Sequence, residues 1–157
     1  MVSDAMFSSD REDWGTPQGL FDRLACEFGP FDIDLAASEG NAKCRRFYTR
    51  EDDSLRQVWR GRCWLNPPYG RQIGRWMAKA HDSVVVDGTA STVCALVPAR
   101  TDTRWWHDFV GLERFELGAL AHASVVLFLP GRVRFLLPDG SARAGAPFPS
   151  AVVVWQR

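Results

Sequence analysis

The sequence is short of several features that define whole classes of protein. Its four cysteines, Cys26, Cys44, Cys63 and Cys94, lie far apart, with no C-x-x-C pair and no histidine at zinc-ligand spacing. That pattern argues against a disulfide-stapled or zinc-bound scaffold and for thiols buried in a reducing compartment, with no metal. Long apolar runs are missing too: nothing approaches the roughly 18 residues of a membrane span, and Met1 to Asp13 has no basic segment leading into an apolar one. The expectation is a cytoplasmic protein with no membrane partner. Net charge is absent, since nineteen Lys+Arg balance nineteen Asp+Glu, so a polyanion would have to be met by a local patch and not by the overall field. Lysine is scarce, and seventeen of the nineteen basic residues are arginine. That bias suits bidentate phosphate contact and equally suits a compositional habit.

What is present is ordinary for a folded domain. With 46% hydrophobic and 24% charged residues, disordered, collagen-like and coiled-coil classes drop out together. A length of 157 residues fits one domain over 1–157, with 1–13 as a flexible N-terminal segment. Seven tryptophans and ten phenylalanines are rich for that size, enough to serve a binding surface besides the core.

Pro and Gly punctuate short apolar runs throughout. Thr16-Pro17 followed by Leu20, Phe21, Leu24 and Phe28 predicts a helix ending at Gly29-Pro30. Strands are expected at 31–35, 47–49, 63–65, 92–97, 124–129, 133–137 and 151–155, and helices at 73–86 and 105–110. Strands alternating with helices over the first hundred residues predict an α/β fold, a doubly wound and mostly parallel sheet, closed by a C-terminal antiparallel hairpin. In such a sheet ligands lie at the carboxyl ends of strands. The segments Asp34 to Ser38, Glu51 to Asp53, Asn66 to Gly70 and Pro98 to Thr101 would share that rim.

Asn66-Pro67-Pro68-Tyr69 is the most informative tetrapeptide. An exocyclic amine on a base or amide is a poor nucleophile because its lone pair is delocalised into the adjoining π-system. The amide oxygen of Asn66 and the carbonyl of Pro67 can each accept one of its hydrogens, drawing the nitrogen toward tetrahedral geometry. Pro67 and Pro68 fix those acceptors in advance, and Tyr69 can stack on the planar group.

Eight blocks extend this signal in order: Trp14-Gly-Thr16-Pro17 with Phe21 and Leu24, Phe31-Asp-Ile-Asp34-Leu-Ala-Ala-Ser38, Asn41-Ala-Lys-Cys44, Phe47-Tyr-Thr49, Glu51-Asp-Asp-Ser-Leu55, Trp64-Leu-Asn66-Pro-Pro-Tyr-Gly70, Leu96-Val-Pro-Ala-Arg-Thr-Asp-Thr103 and Pro147-Phe-Pro-Ser-Ala151. Together they resemble the bacteriophage-type DNA N-6-adenine methyltransferase family over nearly the whole chain. The resemblance implies a Rossmann-like, S-adenosylmethionine-dependent enzyme that methylates the N6 amine of an adenine flipped out of double-stranded DNA. A bacterial host cytoplasm and protection of phage DNA from restriction are the expected setting, with a monomer favoured and the oligomeric state left open. Asn66 to Tyr69 would be catalytic. Thr16, Pro17 and the Asp34 to Ser38 turn, with Ala36 and Ser38, would line the methionine side of the cofactor, and Asp53 its adenosine, with Glu51 and Asp52 as competitors for that role. Asp34 and Asp53 stand 19 residues apart, near the acidic spacing of the dinucleotide fold. Leu35 departs from the family pattern, in which proline follows the first-strand aspartate.

Arg71, Arg100, Arg104, Arg132 and Arg134 are the candidate DNA contacts, Arg71 recurring with Arg75 and Lys79 at helical spacing. Solvated, ion-paired faces are the bland reading of each. Trp105 and Trp106 read as core packing or a base wedge, and His81 and His122 carry no paired signal. The rival readings are methylation of a protein glutamine amide, and a non-catalytic S-adenosylmethionine- or DNA-binding module that needs a partner.

Overall fold

A computed structural model describes residues 14–111 and 123–157. The flexible segment expected at 1–13 and His122 lie outside the described residues. Helix α1 (Gln18–Phe28) begins after Pro17, whose fixed φ of −58° sets the entry, and buries Phe21 and Leu24. It stops at Gly29, whose N–H donates to Ala25 O at 3.0 Å. A Cβ at Gly29 would lie 2.5 Å from that same oxygen, so the close approach requires glycine.

Strands β1 (Ile33–Asp34), β2 (Gly61–Leu65), β3 (Ala90–Pro98), β4 (Val125–Phe128) and β5 (Ser150–Gln156) form one sheet in the order β1-β2-β3-β5-β4. β1, β2 and β3 pair in parallel, while β5 runs antiparallel to both β3 and β4. Four strands therefore point one way and β5 the other: the sheet is mixed and mostly parallel in direction. Strand alternation splits the core into two layers. Cys63, Leu65, Val93, Ala95, Val97, Val153 and Trp155 pack with Ile73, Trp76, Met77 and Ala80 of α2 (Ile73–His81). Trp64, Cys94, Leu96, Val152 and Val154 pack with Phe21 and Leu24 of α1. The two helices thus cover opposite faces, and each fully buried large side chain contributes about 1.5–3 kcal/mol.

Several sequence expectations change in detail. Residues 47–49 hold a single parallel bridge, Asp34 to Phe47, in place of a strand. The helix expected over 73–86 is α-helical to His81 and then widens into a π-turn at Asp82–Val86, where three consecutive valines crowd a regular helix. The span 105–110 is likewise a π-turn from Trp106 to Val110, with Trp106 in the core. Residues 133–137 do not join the sheet. Leu136 bridges Gly15 and Ala142 instead, so β4 and β5 pair across residues 129–149 and not across a tight terminal turn.

Candidate active site

Because β1, β2 and β3 are parallel, their carboxyl ends share a rim. Asp34 ends β1, Asn66 follows β2 and Pro98 ends β3. The Asn66–Tyr69 turn crosses this rim and is tied to the neighbouring strand: the Tyr69 hydroxyl donates to Leu96 O at 2.9 Å. Burial of that hydroxyl pushes its pKa up, so it stays a neutral donor. The ring itself is half-buried among aromatics, offset-stacked on Trp14 (centroids 6.4 Å, 26°) and edge-on to Phe135 and Phe148. Those contacts fix the ring in place beside the rim.

Asn66 is held from the far end of the sequence. Its Nδ2 donates to Trp14 O at 2.5 Å and to Thr16 Oγ1 at 3.1 Å. The Trp14 carbonyl can only accept, so the amide orientation is determined and Oδ1 faces the other way. That oxygen is buried and has no hydrogen-bond partner among the described residues. A buried acceptor without a donor is costly, and such atoms mark places where a ligand group belongs.

Asp34, 3% exposed, accepts the Lys43 N–H at 3.0 Å and the Ala36 N–H at 3.3 Å. Burial nevertheless pushes its carboxyl up to about 6, against the lowering effect of those bonds and of the Lys43 charge. Burial lowers the Lys43 ammonium in turn. Ser38 shapes the following turn, its N–H donating to Asn41 Oδ1 at 2.7 Å. Of the three competing acids, Asp52 is already engaged. Its carboxylate accepts the Thr49 N–H at 2.7 Å and hydroxyl at 2.9 Å, which hold it below the usual range. Asp53 stands exposed in left-handed backbone (φ 48°) ahead of the short 3-10 turn Ser54–Arg56.

Thr16, Asp34 and Ala36 are therefore brought to the same rim as Asn66 to Tyr69, whereas nothing links Asp53 to it by a direct bond. The candidate arginines divide. Arg100 pairs with Asp102 at 3.2 Å, and Arg104 with Asp108 at 3.3 Å. Arg71 lies in the turn before α2 and not on the helix. Arg132 and Arg134 are exposed. Three participants escaped the sequence reading of the site: the Trp14 carbonyl, the Leu96 carbonyl, and Arg143, whose guanidinium lies 4.7 Å over the Trp14 ring. Trp14 and Leu96 each head a family block, whereas Arg143 carried no signal. Cys63 and Cys94 are buried and Cys44 half-buried, while Cys26 is exposed, against the expectation of four buried thiols. Among the described residues no group of three or more His, Cys, Asp or Glu is placed to hold a metal, and no helix is long and apolar enough to cross a membrane.

Residues 4–157 match the family model described as DNA N-6-adenine-methyltransferase (Dam). The chain belongs to that family. Two phage proteins carrying the name DNA N-6-adenine-methyltransferase are similar to it. The one from Escherichia phage T1 is 34% identical over 100 residues, covering 62% of this chain and 40% of its own length. The one from Haemophilus phage HP1 (strain HP1c1) is also 34% identical over 100 residues, covering 62% of this chain and 56% of its own. The chain thus spans about half the length of these relatives. Among the described residues, the rim around Asn66 combines a fixed amide acceptor, an aromatic ring and a buried acid.

Proposed function

We propose that this chain transfers a methyl group from S-adenosylmethionine to the N6 amine of adenine in DNA. The observation that carries the reading is the Asn66 Oδ1: buried, fixed in direction by Trp14 and Thr16, and lacking a donor. The adenine N6 amine is a donor of the right kind. Asn66 Oδ1 accepts one of its hydrogens and Pro67 O the other, so the lone pair is drawn out of the ring system toward the methyl carbon. The Tyr69 ring supports the face of the flipped base, paying back part of the stacking lost from the duplex. When bound, S-adenosylmethionine supplies an electrophilic methyl on a sulfonium centre. Asn66 Oδ1 and Pro67 O would hold the two amine hydrogens, one of which is the proton given up when the amine takes the methyl group.

The residues fit the cofactor. Asp34, a buried acid raised to about 6, gains from a cationic partner such as the cofactor amino group. Thr16, Pro17, Ala36 and Ser38 would line the cofactor's methionine side, and Glu51 and Asp53, both exposed, are the acids left open to ribose hydroxyls. The test is direct. Purified protein, S-adenosylmethionine and DNA free of modified adenine are incubated, and the digested nucleosides are weighed by mass spectrometry. N6-methyladenine that depends on the protein is the expected result, and its absence under conditions where the cofactor binds would overturn the reading.

A further inference from the structure

A cleft of about 640 Å³ opens beside the rim, between the start of α1 and the segment that follows β4. Pro17, Leu20 and Val133 contribute to an apolar floor, and Arg23, Arg132 and Arg134 line it. None of its lining residues is acidic. All three arginines are exposed. Elsewhere among the described residues several guanidiniums have an internal partner: Arg100 and Arg104 bind aspartates, Arg75 binds Gln72, Arg62 binds Gly29 O, and Arg143 covers Trp14. Arg23, Arg132 and Arg134 make no hydrogen bond or ion pair among the described residues. Three guanidiniums converging on one cleft without a counter-charge repel one another unless an anion sits between them.

The cleft is stitched to the Asn66 site. In the extended segment 132–135, Arg132 and Arg134 point out while Phe135 is buried, the alternation of a strand. Leu136 N–H donates to Gly15 O at 2.7 Å, and Gly15 N–H to Leu136 O at 3.1 Å. Gly15 lies between Trp14 and Thr16, the two residues that hold Asn66. On the other side Ala146 N–H donates to Val133 O at 2.9 Å. Gly145 lets the backbone approach Arg132 so closely that a Cβ there would lie 2.8 Å from the Arg132 Cβ. The arginines and the methyl-accepting site therefore share one hydrogen-bonded frame.

We infer that this cleft is the groove for the DNA strand flanking the target adenine, with Arg23, Arg132 and Arg134 gripping consecutive phosphodiesters and Leu20 and Val133 supporting the adjoining sugars. The inference rests on the proposed function and adds Arg23, which no motif indicated. Guanidinium forks suit phosphate oxygens, and the volume falls within the range of small-ligand sites, sufficient for a short stretch of backbone.

Fluorescence anisotropy on a labelled adenine-containing duplex across a salt series tests it. Each of Arg23→Ala, Arg132→Ala and Arg134→Ala is expected to reduce the slope of log K against log salt by about 0.9, and to weaken binding by about fivefold near 0.15 M salt. The triple alanine variant should lose about 2.7 from the slope, and the triple lysine variant should recover most of it. Arg75→Ala, on the far helix, should leave it alone. Melting temperatures should stay close to that of the parent chain because the three side chains are exposed, so a folding loss is separable from a binding loss. A triple alanine variant that keeps the parent slope overturns the groove and leaves the proposed function intact. Stabilisation of the parent chain by inorganic phosphate or a free mononucleotide, lost in that variant while its duplex slope is unchanged, identifies a small-anion site and overturns the groove too. No duplex binding at any salt removes the groove together with its DNA substrate, whereas cofactor-dependent methylation of DNA with the slope unchanged removes the groove alone.

Discussion

Asp34 offers a quantitative prediction because its environment contains opposing effects. Burial at the end of β1 raises its carboxyl from 3.8 to about 6, although the Lys43 and Ala36 N–H groups and the Lys43 charge all pull it down. The folded chain therefore holds this proton more tightly than the unfolded chain does. Between about pH 4 and 6 the folded state binds the extra proton, so stability falls as pH rises through that window and levels off above about pH 7. A shift of about two units corresponds to about 3 kcal/mol. Urea unfolding of the parent chain and of Asp34→Asn, measured from pH 4 to 8, isolates the contribution, since titrating groups not coupled to Asp34 cancel in the difference. The stability of the parent chain minus that of Asp34→Asn should fall by about 2.5 kcal/mol from pH 4 to 7 and change little above that. Saturating S-adenosylmethionine should shrink the fall, because a cation beside the carboxylate favours its ionised form. A difference that is flat, or that rises with pH, would refute the burial argument.

Four further outcomes follow from named contacts. Tyr69→Phe keeps the ring but leaves the Leu96 carbonyl unpaired, so chemical unfolding should register a loss of about 1 kcal/mol while methyl transfer changes only a few-fold; Tyr69→Ala should lose both. Thr16→Val removes one of the two acceptors that orient Asn66 and should lower kcat more than it alters cofactor affinity in paired kinetic and calorimetric measurements. Gly61→Ala places a Cβ 2.4 Å from Asp32 Oδ2 at φ +74°, and should lower the urea midpoint by the equivalent of about 1–3 kcal/mol. Met77→Ala, in the fully buried contact of α2 with the sheet, should cost about 2–5 kcal/mol by the same assay.

The sequence made the local grammar legible. Pro17 and Gly29 bracket α1, apolar runs mark β2, β3, β4 and β5, and the prolines after Asn66 end β2 at the rim where ligands gather. Long-range pairing was not legible. β5 inserts between β3 and β4 because its valines alternate into both core layers, a fit that depends on neighbours far away in the chain. The run 133–137 has strand-like alternation, yet its hydrogen bonds go to Gly15 and to the segment 141–146, outside the sheet. For the site, residue chemistry alone singled out Asn66 to Tyr69, and the family blocks supplied Thr16 and Asp34. The device that holds Asn66 is a backbone carbonyl 52 positions earlier, and a carbonyl has no residue signature. Arg23 was hidden similarly, since an arginine on the exposed face of an amphipathic helix looks like any solvated charge until the segment 132–134 folds opposite it.

The central claim, that the unpartnered Asn66 amide oxygen receives the target amine, is tested most directly by Asn66→Ala assayed two ways on the same preparation. Calorimetry with S-adenosylmethionine should give a dissociation constant within a few-fold of the parent value, because the side chain is assigned to the amine and not to the cofactor. Single-turnover methyl transfer to DNA should fall by about 10² to 10³, the usual consequence of losing one preorganised polar group. An unchanged turnover rate with cofactor affinity intact would contradict the account.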